Sequence, residues 1–144
     1  MRITTRGRYG LKAMVELALA FGQGPISLKN IAANQEISEY YLEQLMGSLR
    51  KAGLVKSARG AQGGYELARA PSEISSGDVL RAVEGPISPV ECIDENGCRE
   101  PCEKIDLCST RLLWLRMHEQ LNKVLDSTTL EDLRAEAERL APQS

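Results

Sequence analysis

Residues 37–71 read ISEYYLEQLMGSLRKAGLVKSARGAQGGYELARAP, and the fold turns on how this stretch is parsed. Ser38 can cap a helix whose apolar face is Leu42, Leu45 and Leu49, with Gly53 marking its end. Leu54-Val55-Lys56-Ser57 then has strand character. Gly60, Gly63 and Gly64 break it, and Tyr65-Glu66-Leu67 can return as a second strand. A helix followed by such a hairpin becomes a recognition helix and wing when another short helix stands just before it. One does. Ser27 can cap a helix reaching about Gln35, with Leu28, Ile31 and Ala32 inward, and about three residues separate the pair, the helix-turn-helix spacing.

Working outward, Leu11, Met14, Val15, Ala18 and Leu19 recur at helical spacing and predict a first helix that stops at Gly22, Gly24 and Pro25. After Pro71, Val79, Leu80 and Val83 predict a fourth helix from about Ser76 to Val83. The chain is irregular from Gly85 to about Leu107, a stretch holding Pro86, Pro89, Gly97, Pro101 and all four cysteines. A long helix is expected from Ser109 to about Asp126, with Leu113, Met117, Leu121, Val124 and Leu125 as one stripe, widened by Leu112, Trp114 and Leu115. A small first domain has too little surface to cover it, so pairing with the same helix of a second copy is expected. Thr129 and Asp132 have the spacing of a capping arrangement for a last helix that buries Leu130, Leu133, Ala137 and Leu140. The expected architecture is mainly α. A winged helix-turn-helix DNA-binding domain spans residues 1–84, with its wing at about 54–68. A cysteine-rich cluster-binding loop spans 85–108, and a dimerisation helix and C-terminal helix span 109–144.

Charge agrees with this division. The 144 residues carry a net charge of −2, but residues 1–70 hold ten Lys/Arg against five Asp/Glu (+5) and residues 71–144 hold eight against fifteen (−7). A basic front half points to a polyanionic partner for that half alone. Neither an apolar run of about 18 residues nor a basic-then-apolar leader is found, so a cytoplasmic protein without membrane association is expected. No acid–base constellation is legible around the single His118, and the thiols have no oriented base, which argues against an enzyme. Gly60, Gly63 and Gly64 are turn residues rather than a phosphate cradle, because no Lys-Ser/Thr and no helix follows them.

In a helix-turn-helix protein the recognition helix lays its N-terminal residues against base edges. Here Ser38, Tyr40, Tyr41, Glu43 and Gln44 hold those positions. Glu43 can accept a hydrogen bond from a cytosine amino group, and Gln44 can pair with adenine. Arg59, where the wing strand meets its turn, can reach into a minor groove. Arg2, Thr4, Thr5, Arg6, Arg8, Lys51 and Lys56 are candidates for phosphate contacts. Cys92, Cys98, Cys102 and Cys108 follow the pattern C-x₅-C-x₃-C-x₅-C. It lacks the C-x₂-C knuckles of structural zinc sites and differs from the bacterial ferredoxin run. Clustered thiolates favour a soft metal, which leaves an iron–sulfur cluster, zinc, or redox-active or incidental thiols open.

The opening MRITTRGRYGLKAM, the stretch 37–71, the phrase VLRAVEGPISPVEC and the tail VLDSTTLEDL together resemble the bacterial IscR/CymR/NsrR family of dimeric winged-helix transcription regulators. The resemblance covers essentially the whole chain. It implies that Glu43 reads a cytosine, that Arg59 is the minor-groove arginine, and that the long helix crosses between subunits. It also implies that three loop cysteines hold an iron–sulfur cluster. Cys92 matches the first ligand and Cys108 the last, while Cys98 and Cys102 compete for the middle place, Cys98 being slightly favoured and Cys102 able to substitute or add a fourth ligand. Arg111 stands where the cluster-binding branch has a histidine ligand, and a guanidinium cannot serve as one. Arg8 stands where nitric-oxide-sensing members have an acidic residue. The implied cofactor is a [2Fe–2S] cluster with [4Fe–4S] as the alternative, in a regulator of iron–sulfur cluster biogenesis genes. The other branch implies a cluster-free regulator of cysteine and sulfur metabolism acting in complex with cysteine synthase.

Overall fold

The computed structural model describes residues 3–61, 63–93 and 107–142. Six helices and one hairpin follow in the order α1 (Thr5–Leu19), α2 (Leu28–Gln35), α3 (Glu39–Lys51), β1 (Val55–Ala58), β2 (Gly64–Leu67), α4 (Ser76–Glu84), α5 (Arg111–Ser127) and α6 (Leu130–Leu140). Single 3₁₀ turns lie at Pro71–Glu73 and Glu91–Ile93. The mainly helical winged architecture expected from the sequence is present.

Local chemistry sets the boundaries. Ser27 accepts from Asn30 N–H at 3.1 Å and Ser38 from Tyr41 N–H at 3.0 Å, so both helix-turn-helix members are side-chain capped. Between them Glu36 holds the left-handed conformation, φ 56°, unusual for a residue with a Cβ. Gly53, φ 77°, ends α3 and lets Leu54 N–H reach back to the Leu49 carbonyl at 3.0 Å. The strands pair antiparallel from Val55↔Leu67 to Ala58↔Gly64. Beyond them, Ile26 and Tyr65 exchange both backbone hydrogen bonds, at 2.9 and 2.8 Å, stitching the wing to the entry of α2.

Met14, Leu17, Ile31, Leu42, Leu45, Met46, Leu49, Ile74, Val79 and Leu130 form the centre of the core, each closed to solvent or nearly so. In α1 the buried line runs through Gly10, Ala13, Met14, Leu17 and Ala18. Leu11 and Val15 are only half-buried, and Leu19 is exposed. The expected stripe is rotated because α4 and α6 both pack on α1. Two capping boxes, Ser75 with Asp78 and Thr129 with Asp132, start α4 and α6. They lie back to back: Ser76 N–H donates to the Thr128 carbonyl at 2.8 Å and Leu130 N–H to the Ile74 carbonyl at 2.9 Å.

The expected α5 stripe divides. Arg111, Trp114, His118, Leu121, Asn122 and Leu125 are half-buried at helical spacing, whereas Leu112, Leu113, Leu115, Met117 and Val124 are exposed. No residue of α5 is fully buried within the single chain. The helix begins at Arg111 rather than Ser109. On α6, Leu140 is exposed instead of buried.

Candidate nucleic-acid interface and cysteine loop

α3 presents a sharply divided surface. Leu42, Leu45, Met46 and Leu49 face the core, while Tyr40, Glu43 and Gln44 are exposed together on the other side, Tyr40 to 74%. Tyr41 lies on the boundary, half-buried, with its ring edge-on to Tyr9 at 6.3 Å between centroids. Its role is partly in packing. Ser38 Oγ already accepts the Tyr41 N–H, which leaves its hydroxyl hydrogen to donate outward.

Arg59 is exposed at the wing turn that follows β1. Lys56 is also exposed, and its ammonium lies 3.6 Å from Glu66 across the hairpin, an open pair with little hold on either side chain. Thr4 donates from both its backbone N–H and its hydroxyl to the Glu84 carboxylate, which also accepts from Gly7 N–H at 3.3 Å. A carboxylate from α4 thus caps α1 in place of the Thr4 side chain. Arg6 turns inward, with Nε donating to the Val83 carbonyl at 3.2 Å. Neither contact has a local signal, since the partners lie 77 to 80 residues away. Arg8 lines a groove of about 490 Å³ between α1 and α6, along with Lys12, Leu11, Val15, Leu133 and Leu140. Lys29 and Arg50 are exposed cations on α2 and α3 that the sequence reading did not single out. Their polar-face position in the helical pattern was the available signal.

Cys92 is half-buried in the 3₁₀ turn that packs against α5, and Cys108 is exposed three residues before that helix. The Thr110 hydroxyl lies 3.2 Å from Cys108 Sγ. That contact first, then the backbone N–H groups of Thr110 and Arg111, holds the Cys108 thiol below its ordinary range, with the Arg111 charge adding to the effect. Thiolate is the form that ligates metal. Arg111 Nε is buried with no hydrogen-bond partner among the described residues. Cys92 and Cys108 are the thiols among the described residues that could ligate a soft metal. Cys98, Cys102 and Arg2, all named from the sequence, lie outside the described residues, and no metal-binding group of side chains is found among the described ones.

A capped helix-turn-helix, a glycine-turned wing and a polar outer face on the second helix define the winged-helix architecture of DNA-binding transcription regulators. Residues 3–136 match the Rrf2 family, described as iron-dependent transcriptional regulators, and the chain belongs to it. It is similar to the HTH-type transcriptional regulator CymR of Bacillus subtilis, 53% identical over 133 residues, covering 92% of this chain and 89% of that one. The solved structure of CymR, the global cysteine regulator of B. subtilis, superposes with a TM-score of 0.78 at 51% identity, covering 94% and 98%. The T. potens IscR structure gives 0.79 at 45% identity, covering 100% and 94%. Among the described residues no helix is long and apolar enough to cross a membrane.

Proposed function

We propose that this regulator acts as a homodimer on promoter DNA and that an iron–sulfur cluster on the 92–108 loop governs its DNA binding. In this reading Ser38, Tyr40, Tyr41, Glu43 and Gln44 address the major groove, and Arg59 addresses the minor groove. Arg2, Thr4 and Lys56 join the phosphate contacts, with Thr4 having to share its hydroxyl with Glu84. Dimerisation is supported by the exposed Leu112, Leu113, Leu115, Met117 and Val124, and by the apolar groove between α1 and α6. Cys92 and Cys108, with Cys98 or Cys102, would hold the cluster, [2Fe–2S] being favoured over [4Fe–4S]. When bound, it supplies an oxidation- and supply-sensitive link across the loop.

One observation carries the sensing reading: Cys92 lies in a turn packed against α5, and Cys108, its thiol held below its ordinary range, stands three residues before that helix, which has no buried residue within the chain. A ligand at that place shifts the dimer population without touching DNA. The genes controlled would be those of iron–sulfur cluster biogenesis.

A second reading rests on the 53% identity with CymR. It makes the chain a cluster-free regulator of cysteine and sulfur metabolism, acting with a protein partner such as cysteine synthase. Anaerobic purification with iron and sulfide analysis separates the two. The expected result is a coloured protein with bound iron and sulfide, whose affinity for a promoter fragment at fixed salt changes when the cluster is removed. Colourless protein that binds equally well after reconstitution favours the second reading.

A further inference from the structure

The base of α5 is clasped to the DNA-binding domain through one side chain. Arg81, on α4, donates from Nη1 to Asp126 Oδ1 at 2.7 Å, and from Nη2 to Asp126 Oδ2 at 3.1 Å and Asn122 Oδ1 at 2.6 Å. Both carboxylate oxygens are held in a fork, a geometry that fixes orientation as well as distance. Asn122 is itself braced, its amide donating to the His118 carbonyl at 2.8 Å. Space for the pair depends on Gly77. A Cβ there would lie 2.3 Å from Asp126 Oδ1 and 2.8 Å from Arg81 Nη1.

α4 is placed to relay this grip. It packs on α3 and α1 as well as on α5. Arg81 and Ala82 also line a cavity of about 310 Å³ with Ala52 and Leu54, the residues that carry the chain from α3 into the wing. The hydrogen bonds between the α4 and α6 caps hold the chain just beyond α5. Every polar tie described between α5 and the winged domain thus lies in its C-terminal half. Its N-terminal half carries the exposed Leu112, Leu113 and Leu115 and follows Cys108. Seventeen helical residues span about 25 Å, so a small change of angle at the clasp moves the far end by several ångströms.

We infer that Arg81 is a positioning residue for DNA specificity: by fixing the angle between α5 and the winged domain, it sets the half-site separation that the dimer accepts. This rests on the proposed dimeric, DNA-binding reading. Two copies joined through α5 place their recognition helices according to how each domain is mounted on its own α5. A loose mounting leaves the base contacts of each α3 intact and blurs only the separation.

The test uses duplexes selected by the wild-type protein from a random pool, then resynthesised with the half-sites one to three base pairs closer or farther apart, together with an isolated half-site. The wild type is expected to prefer one separation. Arg81→Met is expected to remain dimeric and to bind the isolated half-site as the wild type does, while its preference for the selected separation falls about fivefold or more. Gly77→Ala, which keeps every charge and crowds the pair, is expected to act in the same direction, and Arg81→Lys to fall between. Gly77→Ala carries the test if Arg81→Met does not fold. An unchanged separation profile in a folded, dimeric variant overturns the positioning role while leaving the dimeric reading intact. A wild-type protein that is monomeric, or that ignores the separation, overturns both.

Discussion

Individual side chains on the outer face of α3 and at the wing differ in what they can report. Glu43 is an acceptor with no protein partner described, exposed beside Gln44. In the proposed reading Glu43 turns toward a phosphate-lined groove, where a base donor such as a cytosine amino group would answer its charge. Glu43→Ala is therefore expected to relax the choice of base at one position per half-site, by about 1–3 kcal/mol of discrimination. Arg59→Ala is expected to weaken binding by a similar amount, mostly on sites with a narrow A·T minor groove. Lys56→Ala should lower affinity alike for all sequences and reduce the salt slope by about one, because its open pair with Glu66 leaves the ammonium available. Titrations of the three variants on matched duplexes at several salt concentrations separate these effects. An unchanged base preference in Glu43→Ala would remove that residue from readout.

At the scale of elements, the wing is held by its stitch to α2 as well as by its own short ladder. A Cβ on Gly64 would stand 2.1 Å from the Ile26 carbonyl oxygen and 2.7 Å from Ser27 N, backbone atoms that cannot swing aside. Gly64→Ala is expected to break the Ile26–Tyr65 bridge and destabilise the fold by about 1–3 kcal/mol, lowering Tm by roughly 3–10 °C. Gly47→Ala, with nothing within 4 Å, should instead gain about 0.5–1 kcal/mol from helix propensity. Thermal melts of the pair check both signs, and equal Tm values would sink the stitch argument. Elements like these were legible from sequence because their signals are local: Ser27, Ser38 and Thr129 cap where they stand, and the glycines that bound β1 and β2 sit at the turn itself. Long-range partners were not legible. Nothing near Thr4 announces Glu84, nothing near Arg6 announces the Val83 carbonyl, and nothing in the α5 pattern tells which leucines turn toward α4. Apolar periodicity gives a helix a greasy side without naming what covers it. Trp114, Leu121 and Leu125 are half-buried within the single chain, whereas Leu113, Met117 and Val124 are exposed.

For the whole molecule, that division bears on oligomeric state. Leu112, Leu113 and Val124 are exposed to 65, 52 and 60%, and covering a Leu-sized side chain contributes about 1.5–3 kcal/mol. Several such side chains along one helix are worth more than the loss of freedom that association usually imposes only if they are covered together. A second copy offers the same face in return, which is why a symmetric pairing satisfies both chains at once. The wild type is accordingly expected to sediment as a dimer and to melt at a temperature that rises with protein concentration. Leu113→Asp places a charge on that exposed apolar surface, where desolvating it without a partner is prohibitive. It is expected to yield a folded monomer, because Leu113 contributes little to the single-chain core, and to lose the gain of joined half-sites, about a hundredfold or more in affinity. Sedimentation and titration against a duplex carrying both half-sites read the two effects on one sample. A Leu113→Asp protein that stays dimeric would show that another surface joins the subunits, and the α1–α6 groove would then be the next face to alter.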